Sequence, residues 1–254
     1  VLYDYPEYYE IVFSFRDIPQ EVAFLYACID SFSHIPVGCV LEIACGPAPH
    51  AGELAARGYH YIGLDINRNM LDHAAYKWRH LSPRPQFLQA NMVSFDCDQK
   101  VDFAYVLLGS LYLNSVEEMT NHFDSVAHAL NRGGLYFLDW CIQCSNPLLH
   151  NDDNAYTIEQ DGVEIESEFA IKLLDPASQM YEEVWTVNVN DHGRHRVFEM
   201  VERNKAILPG EFMKFLQARP DFEFVGWWKD WDLQHPIVSN ADVSRPVVLI
   251  RRID

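Results

Sequence analysis

The chain has 254 residues, 49% of them hydrophobic and 22% charged, a composition that suits one soluble α/β domain with an elaboration. Its 37 acidic and 19 basic side chains give a net charge of −18, which repels phosphate backbones and argues against a nucleic-acid partner. No apolar run approaches the roughly 20 residues that span a bilayer, so no membrane association is expected. Val1, Leu2, Tyr3, Asp4 and Tyr5 lack the charged start and apolar centre of a signal peptide, and the six cysteines sit mostly in apolar surroundings, as reduced thiols do. These readings predict a cytoplasmic protein, monomeric or homodimeric.

An aromatic-rich lead (Tyr5, Tyr8, Tyr9, Phe13, Phe15) runs into a helix from about Pro19, with Val22, Leu25, Tyr26 and Ile29 expected on one face. Strands are predicted at 38–44 and 59–65, and a helix over 67–80 starts at Asn67 as its N-cap. Residues 87–90 and 101–108 read as buried strands, 116–130 has helical period, and Gly133-Gly134 turns the chain into a strand at 135–140. Such strand–helix alternation predicts a doubly wound, Rossmann-like, mostly parallel seven-stranded sheet.

The pattern changes after Asn146. Four alternating stretches, at 156–160, 163–173, 180–190 and 194–205, are separated by Asp161-Gly162, Asp175-Pro176 and Asp191-His192-Gly193. They predict an inserted antiparallel β lid. A helix (209–218) and two strands (222–228, 246–251) then complete the sheet. Three regions follow: residues 1–145 as cap and cofactor-binding core, 146–207 as acceptor-binding lid, and 208–254 as the segment that closes the core.

Chemistry concentrates in Val40-Leu41-Glu42-Ile43-Ala44-Cys45-Gly46-Pro47-Ala48-Pro49-His50 and, about twenty residues on, Tyr61-Ile62-Gly63-Leu64-Asp65. A buried strand, a glycine turn, a helix start and a second strand ending in a carboxylate make half of a nucleoside-binding unit. A pyrophosphate needs free backbone N–H donors at the turn, but Pro47 and Pro49 remove two and Ala48 replaces a second glycine. A cofactor with adenosine at one end and an amino acid at the other does not need those donors.

The segments Glu42–Ala48 and Gly63–Leu71 resemble the first two motifs of the class I methyltransferases dependent on S-adenosyl-L-methionine (SAM). Gln89-Ala90-Asn91-Met92 resembles their adenine-recognition turn, Leu108-Gly109-Ser110-Leu111 the segment after the fourth strand, and Leu130–Phe137 the turn into the fifth. The lid resembles that of the branch acting on small molecules, including amino-sugar N-methyltransferases. Ala48 departs from the usual glycine and is expected to narrow the cleft.

The resemblance implies cofactor contacts at Tyr9, Arg16, Glu42, Ala44, Gly46, His50, Asp65, Ile66, Met70, Asn91, Met92, Leu108 and Ser110. Asp65 would accept from both ribose hydroxyls, Arg16 would fork onto the methionyl carboxylate, and Asn91 would accept from the adenine amino group. Tyr112, Trp140, Tyr181 and Trp185 are the acceptor-side candidates, with Glu183, Trp228 and Trp231 also bordering the pocket. If the reaction needs a base, Tyr112, His150, His195 and His235 are its candidates. No metal is expected: Asp139 stands alone, and Cys141-Ile-Gln-Cys144 is an unpaired motif. The function these imply is methyl transfer to nitrogen or oxygen of a small molecule by in-line displacement, the product being S-adenosyl-L-homocysteine. A protein or peptide methyltransferase and a non-catalytic SAM-binding regulator remain open alternatives, and an oxidoreductase is disfavoured by the two prolines.

Overall fold

The computed structural model describes residues 1–146, 155–238, 243 and 245–254. A short 3₁₀ turn (Leu2–Asp4) and α1 (Pro6–Val12) form a cap, followed by α2 (Ile18–Phe32). The core then runs β1 (Cys39–Ile43), α3 (Ala51–Ala56), β2 (His60–Asp65), α4 (Arg68–Lys77), β3 (Gln86–Gln89), β4 (Val101–Val106), α5 (Val116–Ala129) and β5 (Leu130–Asp139). After the meander β6 (Ala155–Gln160), β7 (Val163–Asp175), β8 (Met180–Asp191) and β9 (Arg194–Lys205), the chain returns through α6 (Pro209–Gln217), β10 (Phe222–Lys229) and β11 (Pro246–Arg252).

The main sheet has the order β10-β11-β5-β4-β1-β2-β3, parallel except where β11 runs antiparallel between β5 and β10. Val40, Leu41 and Ile43 are fully buried because helices cover both faces of a parallel sheet. Strand order reverses between β1 and β4, and a crevice opens at the carboxyl ends of such strands. Asn67 caps α4 as read from the sequence, its side chain accepting from the Met70 N–H at 3.0 Å. On α2 the buried face is Val22, Leu25, Cys28 and Ile29, whereas Tyr26 turns outward under the Arg57 guanidinium. The buried stripe extends from Leu25 to Cys28, its i+3 neighbour, rather than from Ile29 to Tyr26.

The meander forms a separate four-stranded antiparallel sheet in the order β6-β7-β8-β9. Val163, Ile165 and Ser167 of β7 face inward and are buried, while Glu164, Glu166 and Glu168 face solvent, the period of two expected of a half-covered sheet. Its inner face packs on the cap: Leu2 and Val12 share one apolar cluster with Val163, Ile165, Trp185, Val187, Val189, Phe198 and Met200. The cap is therefore held between the four-stranded sheet and the core.

Candidate functional site

At the mouth of β1 the chain turns through Ala44, Gly46 and Ala48, all at positive φ (57°, 52° and 53°). The turn satisfies its own donors. Cys45 N–H donates to Leu64 O at 2.9 Å, Gly46 N–H to Asp65 Oδ2 at 2.8 Å, and Ala48 N–H to Cys45 O at 2.9 Å. With Pro47 and Pro49 lacking N–H groups, little remains for a pyrophosphate. Ala48 is fully buried between Pro47 and Pro49, which line the cavity beside the turn, and its positive φ is strained for a residue with a Cβ.

Beside this turn lies a cavity of about 490 Å³. Tyr9, Phe13 and Arg16 of the cap region line one side, and Glu42, Ala44, Cys45, Leu108 and Ser110 of the core line the other. Asp65 stands at the end of β2. Its two oxygens accept from the Gly46 and Asn67 N–H groups, at 2.8 Å each, and each keeps acceptor capacity. Burial raises the Asp65 pKa and the backbone donors oppose that rise, so hydroxyl donors from a ribose would stabilise its charged form.

The predicted contacts at the amino-acid end belong to one buried ionic chain. Glu42 accepts from the Tyr61 and Tyr105 hydroxyls through Oε2 and lies 2.8 Å from His50 Nδ1 through Oε1. His50 Nε2 is 2.9 Å from Glu21 Oε2, and Glu21 receives a fork from Arg16 at 3.0 and 2.5 Å. Arg16 thus reaches the cavity already bound to an acid that sequence reading missed. Glu21 carried no local signal: it reads as an ordinary first-turn acid of α2.

Of the residues expected at the adenine, Ile66 is exposed and Met70 buried. The Asn91 side-chain oxygen accepts from the Val93 N–H at 2.9 Å, a local turn that leaves it one lone pair for a base. Met92 is fixed by His122, also missed, whose Nδ1 donates to the Met92 carbonyl at 2.7 Å. Tyr136 closes that arrangement at 2.7 Å from His122 Nε2. The loop carrying Leu108 and Ser110 is held by Asp139. Its carboxylate accepts from the Leu108 N–H (2.8 Å), Trp231 Nε1 (2.8 Å) and Arg245 (2.8 and 2.6 Å). Asp139 is thereby the counter-ion of Arg245.

Tyr112 donates to Glu183 Oε2 at 3.1 Å, and Glu202 lies directly across the sheet from Glu183. Burial and the Glu202 charge raise the Glu183 pKa, with the Tyr112 bond opposing them. Burial lifts the Tyr3 phenol well above its ordinary value, helped by the charges of Glu202, Asp65 and Glu183. Trp185 is 5% exposed, stacks on Phe169 at 5.0 Å and meets Tyr3, Tyr9 and Phe13, the last two of which line the cavity.

Tyr181 stands two residues from Glu183 on the same strand, half-buried opposite Asn204. Trp140 is partly exposed just past β5, at φ 58°. Trp228 is buried against Phe32, and Trp231 serves Asp139. His195 is exposed beside the β8–β9 turn, and His235 is exposed and bound to Asp232 at 2.7 Å; neither joins the Tyr112–Glu183 group. His150 lies outside the described residues. Cys141 and Cys144 are free thiols. No described helix is long and apolar enough to cross a membrane.

The sheet order, the strand-end carboxylate and the self-satisfied glycine turn resemble those of the class I methyltransferases, whose cofactor is SAM. Residues 40–134 match the methyltransferase domain family. A protein of Geobacillus sp. (strain WCH70), whose name places it provisionally among the methyltransferases, is 29% identical over 101 residues. That stretch is 39% of this chain and 41% of the relative, so less than half of the curated relative is matched.

Among solved structures, a SAM-dependent methyltransferase from Clostridium acetobutylicum ATCC 824 superposes with a TM-score of 0.76 at 16% identity, covering 97% of this chain and 96% of its own. SAM-bound CalS10, an amino pentose methyltransferase from Micromonospora echinaspora, gives 0.70 at 17%, with 93% and 92% covered. The sugar N-methyltransferase KedS8 from Streptoalloteichus sp ATCC 53650 gives 0.72 at 16%, with 97% and 93% covered. These likenesses establish a shared fold.

Proposed function

We propose that the protein is a cytoplasmic SAM-dependent methyltransferase acting on an amine of a small polar molecule. The observation that carries the reading is the cavity at the switch point of the sheet, walled by a turn with few free donors for a pyrophosphate, whose Gly46 N–H is bound by Asp65. The residues present fit the cofactor. Asp65 would hold the ribose, Asn91 and the Met92 N–H the base, and Arg16 and Glu42 the amino-acid end. When bound, the cofactor supplies an electrophilic methyl group on a sulfonium.

The protein's own task is alignment and exclusion of water, and positioning of this kind can lower a barrier by about 7–11 kcal/mol. Cap and lid close the site with Tyr3, Tyr9 and Phe13 beneath Trp185. Nitrogen is favoured over oxygen by Glu183, Glu202 and Tyr112. Two facing acids attract a cationic amine, and Glu183, with its raised pKa, is suited to take the proton the nitrogen must lose before attack. The sugar and amino-sugar enzymes of the same fold are consistent with such an acceptor.

The test is calorimetry with S-adenosyl-L-homocysteine and with NAD, followed by transfer assays against matched amine and alcohol sugars. Micromolar binding of the first, about −8 kcal/mol, with none of the second, is expected. An NAD isotherm overturns the cofactor reading, and turnover of alcohols alone overturns the amine reading.

A further inference from the structure

The chain Arg16–Glu21–His50–Glu42 leads from the cavity wall to a fully buried histidine. We propose that His50, as an imidazolium bridging Glu21 and Glu42, and Glu21 itself are positioning residues for the amino-acid end of the cofactor, and that the His50 proton gates cofactor affinity. The proposal rests on the SAM reading above.

Geometry sets the protonation. His50 Nδ1 lies 2.8 Å from one carboxylate oxygen and Nε2 lies 2.9 Å from another. An ionised carboxylate only accepts, and a neutral imidazole donates from one nitrogen alone. Either neutral tautomer would set a ring lone pair against a carboxylate lone pair inside the protein. Arg16 Nη2 also lies 3.3 Å from Nε2, but it already donates to Glu21 at 2.5 Å. Turning Nε2 into its acceptor would leave Nε2 and Glu21 Oε2 as facing acceptors. The doubly protonated ring satisfies every partner.

With that proton, two carboxylates and two cations sum to zero. Glu21 then locks Arg16 Nε and Nη2, leaving Nη1 without a partner among the described residues, while His50, Tyr61 and Tyr105 lock Glu42. One group is thereby fixed for a carboxylate and one for an ammonium, without either having to rearrange. Loss of the proton leaves one net negative charge beside the place where the cofactor's own carboxylate would bind.

The groups around His50 leave it as the one that titrates. Glu21 on α2 is held down at about 2: burial would raise it, and the His50 and Arg16 bonds outweigh burial. Arg16, on the connector before α2, is raised further against its burial by Glu21. Tyr61 on β2, Tyr105 on β4 and Cys45 in the turn are pushed well above their ordinary values by burial and by the Glu42 charge. The Tyr105 ring stands edge-on to His50 at 5.9 Å. Burial works against a charged His50, but the two carboxylates prevail and its pKa lies above the ordinary 6.5. A raised value means that the contribution is complete below about pH 6.5 and is lost as pH rises through the folded-state value.

The experiment measures S-adenosyl-L-homocysteine affinity by calorimetry from about pH 6 to about pH 9.5 for the wild type, His50→Gln and Glu21→Gln, since each pH unit of linked protonation changes affinity up to about tenfold. Wild-type binding should weaken toward alkaline pH by about tenfold more than His50→Gln binding, because the variant keeps the ligand's own titration and loses the protein's. Both variants should bind about tenfold more weakly than wild type near neutrality, and Glu21→Gln should also lose part of the pH slope. Nitrogen-15 spectra of the wild type, which need no variant to fold, should show both His50 ring nitrogens protonated near pH 7. A neutral ring there, or a His50→Gln slope equal to the wild-type slope, overturns the proposal and leaves the cofactor reading standing. Absence of binding by the wild type at every pH overturns the cofactor reading and this proposal with it.

Discussion

Replacing Asp139 with Ala tests whether a buried carboxylate at the end of β5 holds the loop of Leu108 and Ser110 in place. The side chain has no solvent exposure and accepts four hydrogen bonds: two from Arg245, one from Trp231 and one from the Leu108 N–H. Removing one partner of a buried ion pair costs about 3–5 kcal/mol, and each buried neutral donor left unpaired costs about 1–3 kcal/mol. These terms do not add in full, because the Arg245 side chain is 30% exposed and recovers hydration. A net loss of about 3 kcal/mol is expected, which for a chain of this size lowers Tm by roughly 6–12 °C in scanning calorimetry. Asp139→Asn, which keeps an acceptor for Leu108, should lose less. Cofactor affinity should fall too, since Leu108 sits at φ 57° and its N–H has no other anchor among the described residues. A Tm drop under about 3 °C for Asp139→Ala would refute the reasoning, because it would put the group's contribution near that of a surface pair.

Asp65→Ala should weaken S-adenosyl-L-homocysteine binding by about 1.5–3 kcal/mol in calorimetry, through loss of charge-assisted bonds to ribose, and a variant that binds like the wild type would make Asp65 purely structural. His122 is fully buried and burial lowers its pKa to about 4, so it is neutral in the fold, and its contribution is present above about pH 6.5 and lost as pH falls toward about 4. Urea titrations should show about 3 kcal/mol of acid-dependent stability across that window, absent in His122→Gln. Trp185→Ala should cost about 3–5 kcal/mol and expose the cap to proteolysis near Tyr9 and Phe13; protection equal to wild type would separate the cap from the lid.

Within the sequence itself, short-range signals determined the sheet, the helices and the glycine turn with its strand-end carboxylate. Buried apolar runs with glycine punctuation marked β1, β2 and β4, and a period of two between Asp-Gly and His-Gly turns marked the meander at nearly its observed bounds. Asp65 and Gly46 were legible because both ends of their contact lie within one βαβ unit, nineteen residues apart. Only the tertiary structure decided which distant groups meet. Arg245 is 106 residues from Asp139, His122 is 30 from Met92, and the Tyr112 partner on β8 is 71 away. No periodicity reports such a pairing, because each partner taken alone is an ordinary loop arginine, helix histidine or strand glutamate. Trp185 makes the same point. Its place on the lid's inner face followed from alternation, but whether that face met acceptor or cap depended on where the Tyr-rich N-terminus lay, and apolar burial put Leu2 and Val12 there.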